Sequence, residues 1–157
     1  MPQFTTKRRV RHAARDMFDL VADVEKYPQF VPLCSALKVK SRAAKDDGAE
    51  TLVADMTVAY KLIRETFTSR ITLDKAHLKI LVEYLNGPFS HMQNRWTFRD
   101  TGEDASRRVC EVEFYIAYEF KSRMLAMVMG AVFDAAFRRF AAAFEKRADE
   151  IYGRNDA

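Results

Sequence analysis

The chain has 157 residues and a formal net charge of +4, from 26 Lys and Arg against 22 Asp and Glu, and 48% of it is hydrophobic. That length fits one domain, 1–157, which buries a sizeable core without disulfide or metal staples, and the apolar share excludes a disordered chain. The mild charge argues against a dedicated nucleic-acid binder, which concentrates basic residues in a patch.

A strand is expected over 3–11, with Phe4, Thr6, Arg8 and Val10 on one side. It carries the one dense basic cluster, Lys7, Arg8, Arg9 and Arg11. That cluster reads either as a solvated strand face or as a weak dock for anionic lipid or RNA. A helix follows over 13–25, because Ala14, Met17, Phe18, Val21 and Val24 fall at helical spacing. It must end near Tyr27, since Pro28 disfavours helix in the residue before it. Residues 27–34, YPQFVPLC, are almost wholly apolar and hold two prolines. Such a segment cannot be a central strand. It covers something greasy, either as a plug on the open end of a core or as a lid over a ligand.

Five further strands are read over 37–45, 51–60, 63–73, 78–85 and 94–99, with a hairpin turn at Asp47-Gly48. Their apolar sides carry Leu52, Ala54, Met56, Val58 and Tyr60, then Phe67, Ile71 and Leu73, then Leu78, Ile80, Val82 and Tyr84, then Trp96 and Phe98. Gly87-Pro88-Phe89 reads as a second loop presenting an aromatic ring. The last strand, 108–120, alternates most cleanly: Cys110, Val112, Phe114, Ile116, Tyr118 and Phe120 face one way, and Glu111, Glu113 and Glu119 the other. A long helix closes the chain over 123–152, with Ser122 as N-cap and Gly153 at its end. Leu125, Val128, Met129, Val132, Phe133, Phe137, Phe140 and Phe144 lie in its apolar stripe.

About seven antiparallel strands with one dry face need a cover. The long helix, roughly 42 Å at 1.5 Å per residue, is the one element able to supply it. The expected class is α+β: a curved sheet around a C-terminal helix, with space left between them. Inward tyrosines at 60, 84 and 118 would bring hydroxyls that need partners. Water or backbone satisfies them, or a ligand with carbonyl or methoxy oxygens does. Met124, Met127 and Met129, on the first turns of the helix, fill gaps or adapt to a flexible ligand.

Enzymatic motifs are missing. There is no GxGxxG or P-loop, and His12, His77 and His91 stand far apart with no HExxH. Ser90-His91 lacks an orienting acid, and Cys34 lacks a cation that would lower its pKa. No catalytic residue, metal ligand or required cofactor is read from the sequence. The two cysteines, Cys34 and Cys110, form no CxxC, which fits a reducing compartment. No signal segment opens the chain. The longest nearly apolar run, 124–133, is short of the about 20 residues a bilayer span needs. A cytoplasmic protein that touches the inner membrane only peripherally is expected.

Two segments carry a family resemblance. YPQFVPLC at 27–34 resembles the YPxFVPWC segment of the coenzyme-Q-binding protein family, within the START-like, polyketide-cyclase-like superfamily. GPFSHMQNRWTF at 87–98 resembles that family's GPFxxLxNxWxF segment. The chain departs at Leu33, where Trp is frequent, and at Met92, where Leu is usual; Leu33 removes an aromatic wall from the pocket mouth. The resemblance implies a helix-grip enclosing a hydrophobic tunnel. It implies a protein that binds ubiquinone or a related isoprenoid lipid and delivers it in support of respiratory electron transport.

On that reading the tail lies along Leu125, Val128, Met129 and Val132 of the helix, against Met56, Val58, Phe67, Phe114 and Ile116. The head sits by Tyr27, Phe30, Val31, Pro32 and Leu33 and by Pro88 and Phe89. Tyr84, Trp96, Phe98 and Tyr118 complete the walls, and 124–129 is the expected gate. Some bacterial relatives are described instead as toxins that bind the large ribosomal subunit. For that role the surface arginines Arg8, Arg9, Arg95 and Arg99 would serve. The superfamily also holds cyclases, for which Glu65 is the one inward acid that the alternation offers.

Overall fold

Alternation of apolar and polar side chains carries seven stretches into strands. The computed structural model describes residues 3–45, 47–101 and 109–153. The strands are β1 (Gln3–Val10), β2 (Cys34–Ala44), β3 (Glu50–Tyr60), β4 (Ile63–Asp74), β5 (Lys79–Asn86), β6 (Phe89–Asp100) and β7 (Cys110–Phe120). They form a single antiparallel sheet in the order β1-β7-β6-β5-β4-β3-β2. Helix α1 (Ala14–Ala22) and a 3-10 segment, Val24–Gln29, join β1 to β2, and α2 (Arg123–Tyr152) ends the chain. This is the α+β helix-grip. No helix is long and apolar enough to cross a membrane among the described residues.

The boundaries differ from expectation for local reasons. The first helix stops at Ala22, because Asp23 turns out of helical geometry with ψ 68°, and the chain runs on as a 3-10 turn through Pro28. Strand β6 begins at Phe89 rather than 94: His91, Met92 and Gln93 pair with Glu119, Tyr118 and Ala117 of β7. An irregularity between Phe89 and His91 breaks the period there and hides the strand's start. Leu78 takes a left-handed φ of 52° in the turn before β5. The expected start of the last strand, Arg108, lies outside the described residues.

Helix α2 is capped by Ser122, whose hydroxyl accepts from the Leu125 N–H at 2.9 Å. Its 30 residues span about 45 Å, while a strand of 12 residues spans about 40 Å. Met124 is 75% exposed and Met127 84%, so the first turns do not lie on the sheet. The far end is tied down by polar contacts. Arg8 donates to Glu145 at 2.6 Å, His12 meets Asp149 at 2.7 Å, and Arg147 donates to Gln29 at 2.5 Å. Of the N-terminal basic cluster, Lys7 pairs with Glu113 and Arg8 with Glu145. Part of its charge is thus met within the fold.

Gly87 bends the chain between β5 and β6 at a φ of 146°. A Cβ there would stand 2.6 Å from the Phe67 Cβ. The glycine lets the turn press onto β4 and drives Phe89 inward, where it is 1% exposed. Gly87→Ala should therefore cost about 2 kcal/mol or more through backbone strain and overlap. Gly48→Ala, with φ 86° and open space around it, should cost about 1 kcal/mol. Urea midpoints measure both; equal shifts would show that the turn at Gly87 yields.

Candidate functional site

The inward faces of β3 to β6 and the underside of α2 do not close on each other. Ala54, Met56 and Val58 of β3, Phe67, Ser69 and Ile71 of β4, Ile80 and Val82 of β5, and Met92, Asn94 and Trp96 of β6 form the floor of a hollow. Phe133, Ala136, Phe137, Phe140 and Phe144 of α2 form its roof. Val24, Tyr27, Pro32, Leu33 and Leu37 close one side. About 900 Å³ of non-atomic space lies among these walls and their opening, but only about 80 Å³ of it admits the centre of a water-sized sphere. A few waters fit in that space; a lipid head group does not, since ligand pockets run to several hundred Å³.

The double-proline segment is a fitted wall. The Tyr27 hydroxyl donates to the Val21 carbonyl at 2.5 Å. The Tyr27 and Phe30 rings sit edge-on to Phe144 at 5.3 and 5.0 Å. The Ala59 N–H donates to the Leu33 carbonyl at 3.0 Å. Leu33 holds a φ of 67°, a left-handed conformation that is strained for leucine. Pro32, Leu33 and Ala136 line the hollow and also an outer groove of about 330 Å³ with Tyr60, Ala131, Val132, Ala135 and Arg139. The wall between inside and outside is thus one layer thick there, and small alanines face it from α2.

The lining holds few polar groups. The Asn94 amide is engaged, donating to the Tyr115 carbonyl at 2.8 Å and accepting from the Trp96 indole at 3.2 Å. Ser69 is 4% exposed, and its hydroxyl has no hydrogen-bond partner among the described residues. Burial, with Cys34 and Asp23 nearby, pushes the Tyr27 phenol far up, so it stays neutral. Burial lifts the Cys34 thiol to about 11. It lifts Cys110 to about 12, helped by Asp100 and Asp16. Both thiols are therefore protonated at neutral pH and are poor nucleophiles. Among the described residues, the lining has no carboxylate, imidazole or amine. Glu65, on the inward parity of β4, does not reach it.

Of the residues expected at the site, Tyr27, Pro32, Leu33, Met56, Val58, Phe67, Phe89, Trp96 and Ile116 meet around the hollow. The others lie elsewhere. Phe30 turns outward under the Arg147 guanidinium, and Val31 is buried beneath the loop. Phe98 packs between Trp96 and Phe18 of α1, and Phe114 is enclosed by Phe4, Trp96 and Phe140. Tyr84 and Tyr118 ring Phe89; the Tyr84 hydroxyl accepts from the Phe89 N–H at 3.0 Å. Pro88 is buried in its turn. Val132 faces the outer groove. Met129 is buried away from the hollow, and Met124, Leu125 and Val128 do not reach it. The helix contributes from Phe133 onward because its first turns overhang the sheet.

Ser69 was not singled out from the sequence, and Asn94, Val82 and Met92, though read within a strand or a family segment, were not expected at the site. Ser69 does fall in the period-two set between Phe67 and Ile71, which is the signal that marks it. Ser69→Ala should raise the stability of the ligand-free protein by about 1 kcal/mol, since it removes a buried hydroxyl with no partner. Thermal unfolding checks this; a loss of stability would show that the hydroxyl is bonded.

The family described as polyketide cyclase / dehydrase and lipid transport matches residues 10–145. The ribosome association toxin RatA of Escherichia coli K12 is 32% identical over 152 residues, 97% of this chain and 90% of that protein. The mitochondrial coenzyme Q-binding protein COQ10 homolog B of Xenopus laevis is 29% identical, over 98% of this chain and 61% of that protein. The solution structure of the 18 kDa protein CC1736 from Caulobacter crescentus superposes with a TM-score of 0.77 at 31% identity, covering 98% of this chain and 99% of that one. A START superfamily protein from Mycobacterium smegmatis shares the fold, with a TM-score of 0.76 at 17% identity over 95% of this chain and 98% of that one.

Proposed function

The chain belongs to the polyketide cyclase / dehydrase and lipid transport family, and from that premise we propose that it carries ubiquinone or a related isoprenoid lipid in the hollow beneath α2. It delivers that lipid, unchanged, in support of respiratory electron transport. The observation that carries this reading is a hollow walled by aliphatic and aromatic side chains, with one unpartnered hydroxyl, Ser69, facing it.

Each buried CH₂ contributes about 0.8 kcal/mol, so a few isoprene units suffice for useful affinity without any charge. The present volume must grow to take them. The layer of Pro32, Leu33 and Ala136 is where the walls part at least cost, because the side chains there are small or strained. Expectation had put the head group at the double-proline loop. The polar groups favour the reverse: the carbonyl-bearing head lies inside, accepting from Ser69, and the tail leaves through the seam. Catalysis has no support in the lining. Its one titratable group, the Tyr27 phenol, is committed to the Val21 carbonyl.

The rival reading, docking on the large ribosomal subunit, draws on a relative named as a ribosome association toxin. Three arginines suited to it are already engaged. Arg8 binds Glu145, Arg99 meets Glu111 at 3.2 Å, and Arg95 stacks on the Tyr115 ring at 4.3 Å. Mass spectrometry of the organic extract of the purified protein separates the two readings. A stoichiometric isoprenoid is expected. A lipid-free protein that co-sediments with the large subunit would overturn the carrier reading.

A further inference from the structure

One end of the molecule exposes apolar side chains that the fold does not need there. The two-residue turn between β3 and β4 is Lys61-Leu62, where Asn-Gly would be the favoured choice. Lys61 takes a φ of 56°, and Leu62 is fully exposed at the tip. Met124, Met127 and Val128 of the first turns of α2 are exposed, as is Leu85 at the end of β5.

These residues share one end. The Lys121 N–H donates to the Pro88 carbonyl at 2.9 Å, which joins the start of α2 to the β5–β6 turn. Gly87 of that turn presses on Phe67 of β4. Tyr60, beside the tip, faces Ala131 and Val132 of α2 across the outer groove. The thin wall of Leu33 and Ala136 opens into the same groove.

Basic side chains accompany the apolar ones. Lys61, Arg64, Lys121 and Arg123 are exposed at this end, and none joins an ion pair among the described residues. Against them stand Glu119, which is exposed, and Glu65, which is half-buried. Some exposed bases elsewhere are matched, Arg42 by Glu25 and Glu50, Lys75 by Asp19 and Arg138 by Asp134, while others such as Lys38, Arg70 and Lys79 join no ion pair among the described residues. What sets this end apart is that its bases flank exposed apolar side chains.

We infer that this end docks on an anionic phospholipid bilayer, with Leu62 and the α2 methionines entering below the phosphates and the four bases resting at phosphate level. A bilayer rewards both features at once, whereas a nucleic-acid surface rewards only the bases. Docked so, the seam faces the membrane, and a lipid passes between bilayer and hollow without crossing water. The inference rests on the carrier reading for its purpose, though not for its geometry.

The test uses the full chain with vesicles of phosphatidylcholine alone or with phosphatidylglycerol added, read by co-sedimentation. Wild type should bind the anionic vesicles and release in high salt. The double variant Leu62→Asp, Met127→Asp alters two exposed side chains, so its circular dichroism should match wild type. Its vesicle binding should fall roughly tenfold or more. In solution, a short-tailed ubiquinone should still quench its single tryptophan, Trp96, which lines the hollow. Equal vesicle binding by wild type and variant, or none by wild type, overturns the inference. So does variant-sensitive binding to purified ribosomal subunits in place of vesicles. Variant-sensitive vesicle binding with no quenching in either protein upholds the docking surface and overturns the carrier reading instead.

Discussion

A row of ring contacts holds α2 on the sheet, and the hollow exists because of where that row runs. Phe133 packs on Phe89 at 5.8 Å, Phe137 on Tyr118 at 5.1 Å, Phe140 on Phe114 at 5.8 Å and Phe144 on Trp96 at 5.1 Å. The helical spacing of these four phenylalanines matches the rise of inward rings along β6 and β7. Each such pair contributes about 0.5–1.5 kcal/mol beyond its buried area. The rings also act as spacers. They set the height of the helix on the β6–β7 side, and the opposite strands intersperse small groups, Ala54, Val58, Ser69 and Val82, among larger ones such as Met56 and Phe67. The gap over β3 to β5 opens where these small groups face the helix.

The same row explains why the two ends of α2 behave differently. Toward its C-terminus, ion pairs and hydrogen bonds from β1, the first histidine and Gln29 add to the rings. Toward its N-terminus, Met129 and Phe133 are the last side chains buried, and the preceding turns stand in solvent. The double-proline segment is fastened to the held end through Tyr27, Phe30 and Phe144, while Leu33 reaches toward the free end. Movement that admits a ligand therefore concentrates where Leu33 meets Ala136.

Much of the fold was legible because burial on one face writes a period of two into every strand, as in β3 from Leu52 to Val58 and in β7 throughout. The register of the long helix was not legible. An apolar stripe running from Leu125 to Phe144 says which face is dry, but not which turns overlie a sheet shorter than the helix. That is why Leu125, Val128 and Val132 were expected at the site and Phe140 and Phe144 were not. Ser69 was passed over because a lone serine in an apolar set reads as a gap in the pattern. Its meaning depends on neighbours across β3 and β5 that only the assembled sheet supplies. The start of β6 was hidden by a local irregularity of pairing, which sequence spacing does not reveal.

The central claim, that a lipid occupies the space propped open by the ring contacts, is tested most directly with methyl-labelled methionines observed by NMR. Met56 and Met92 line the hollow, and Met124 and Met127 stand outside it. Adding a short-tailed ubiquinone in the absence of membranes should shift the Met56 and Met92 methyl signals and leave Met124 and Met127 nearly unmoved. Shifts confined to the outer pair would contradict the account.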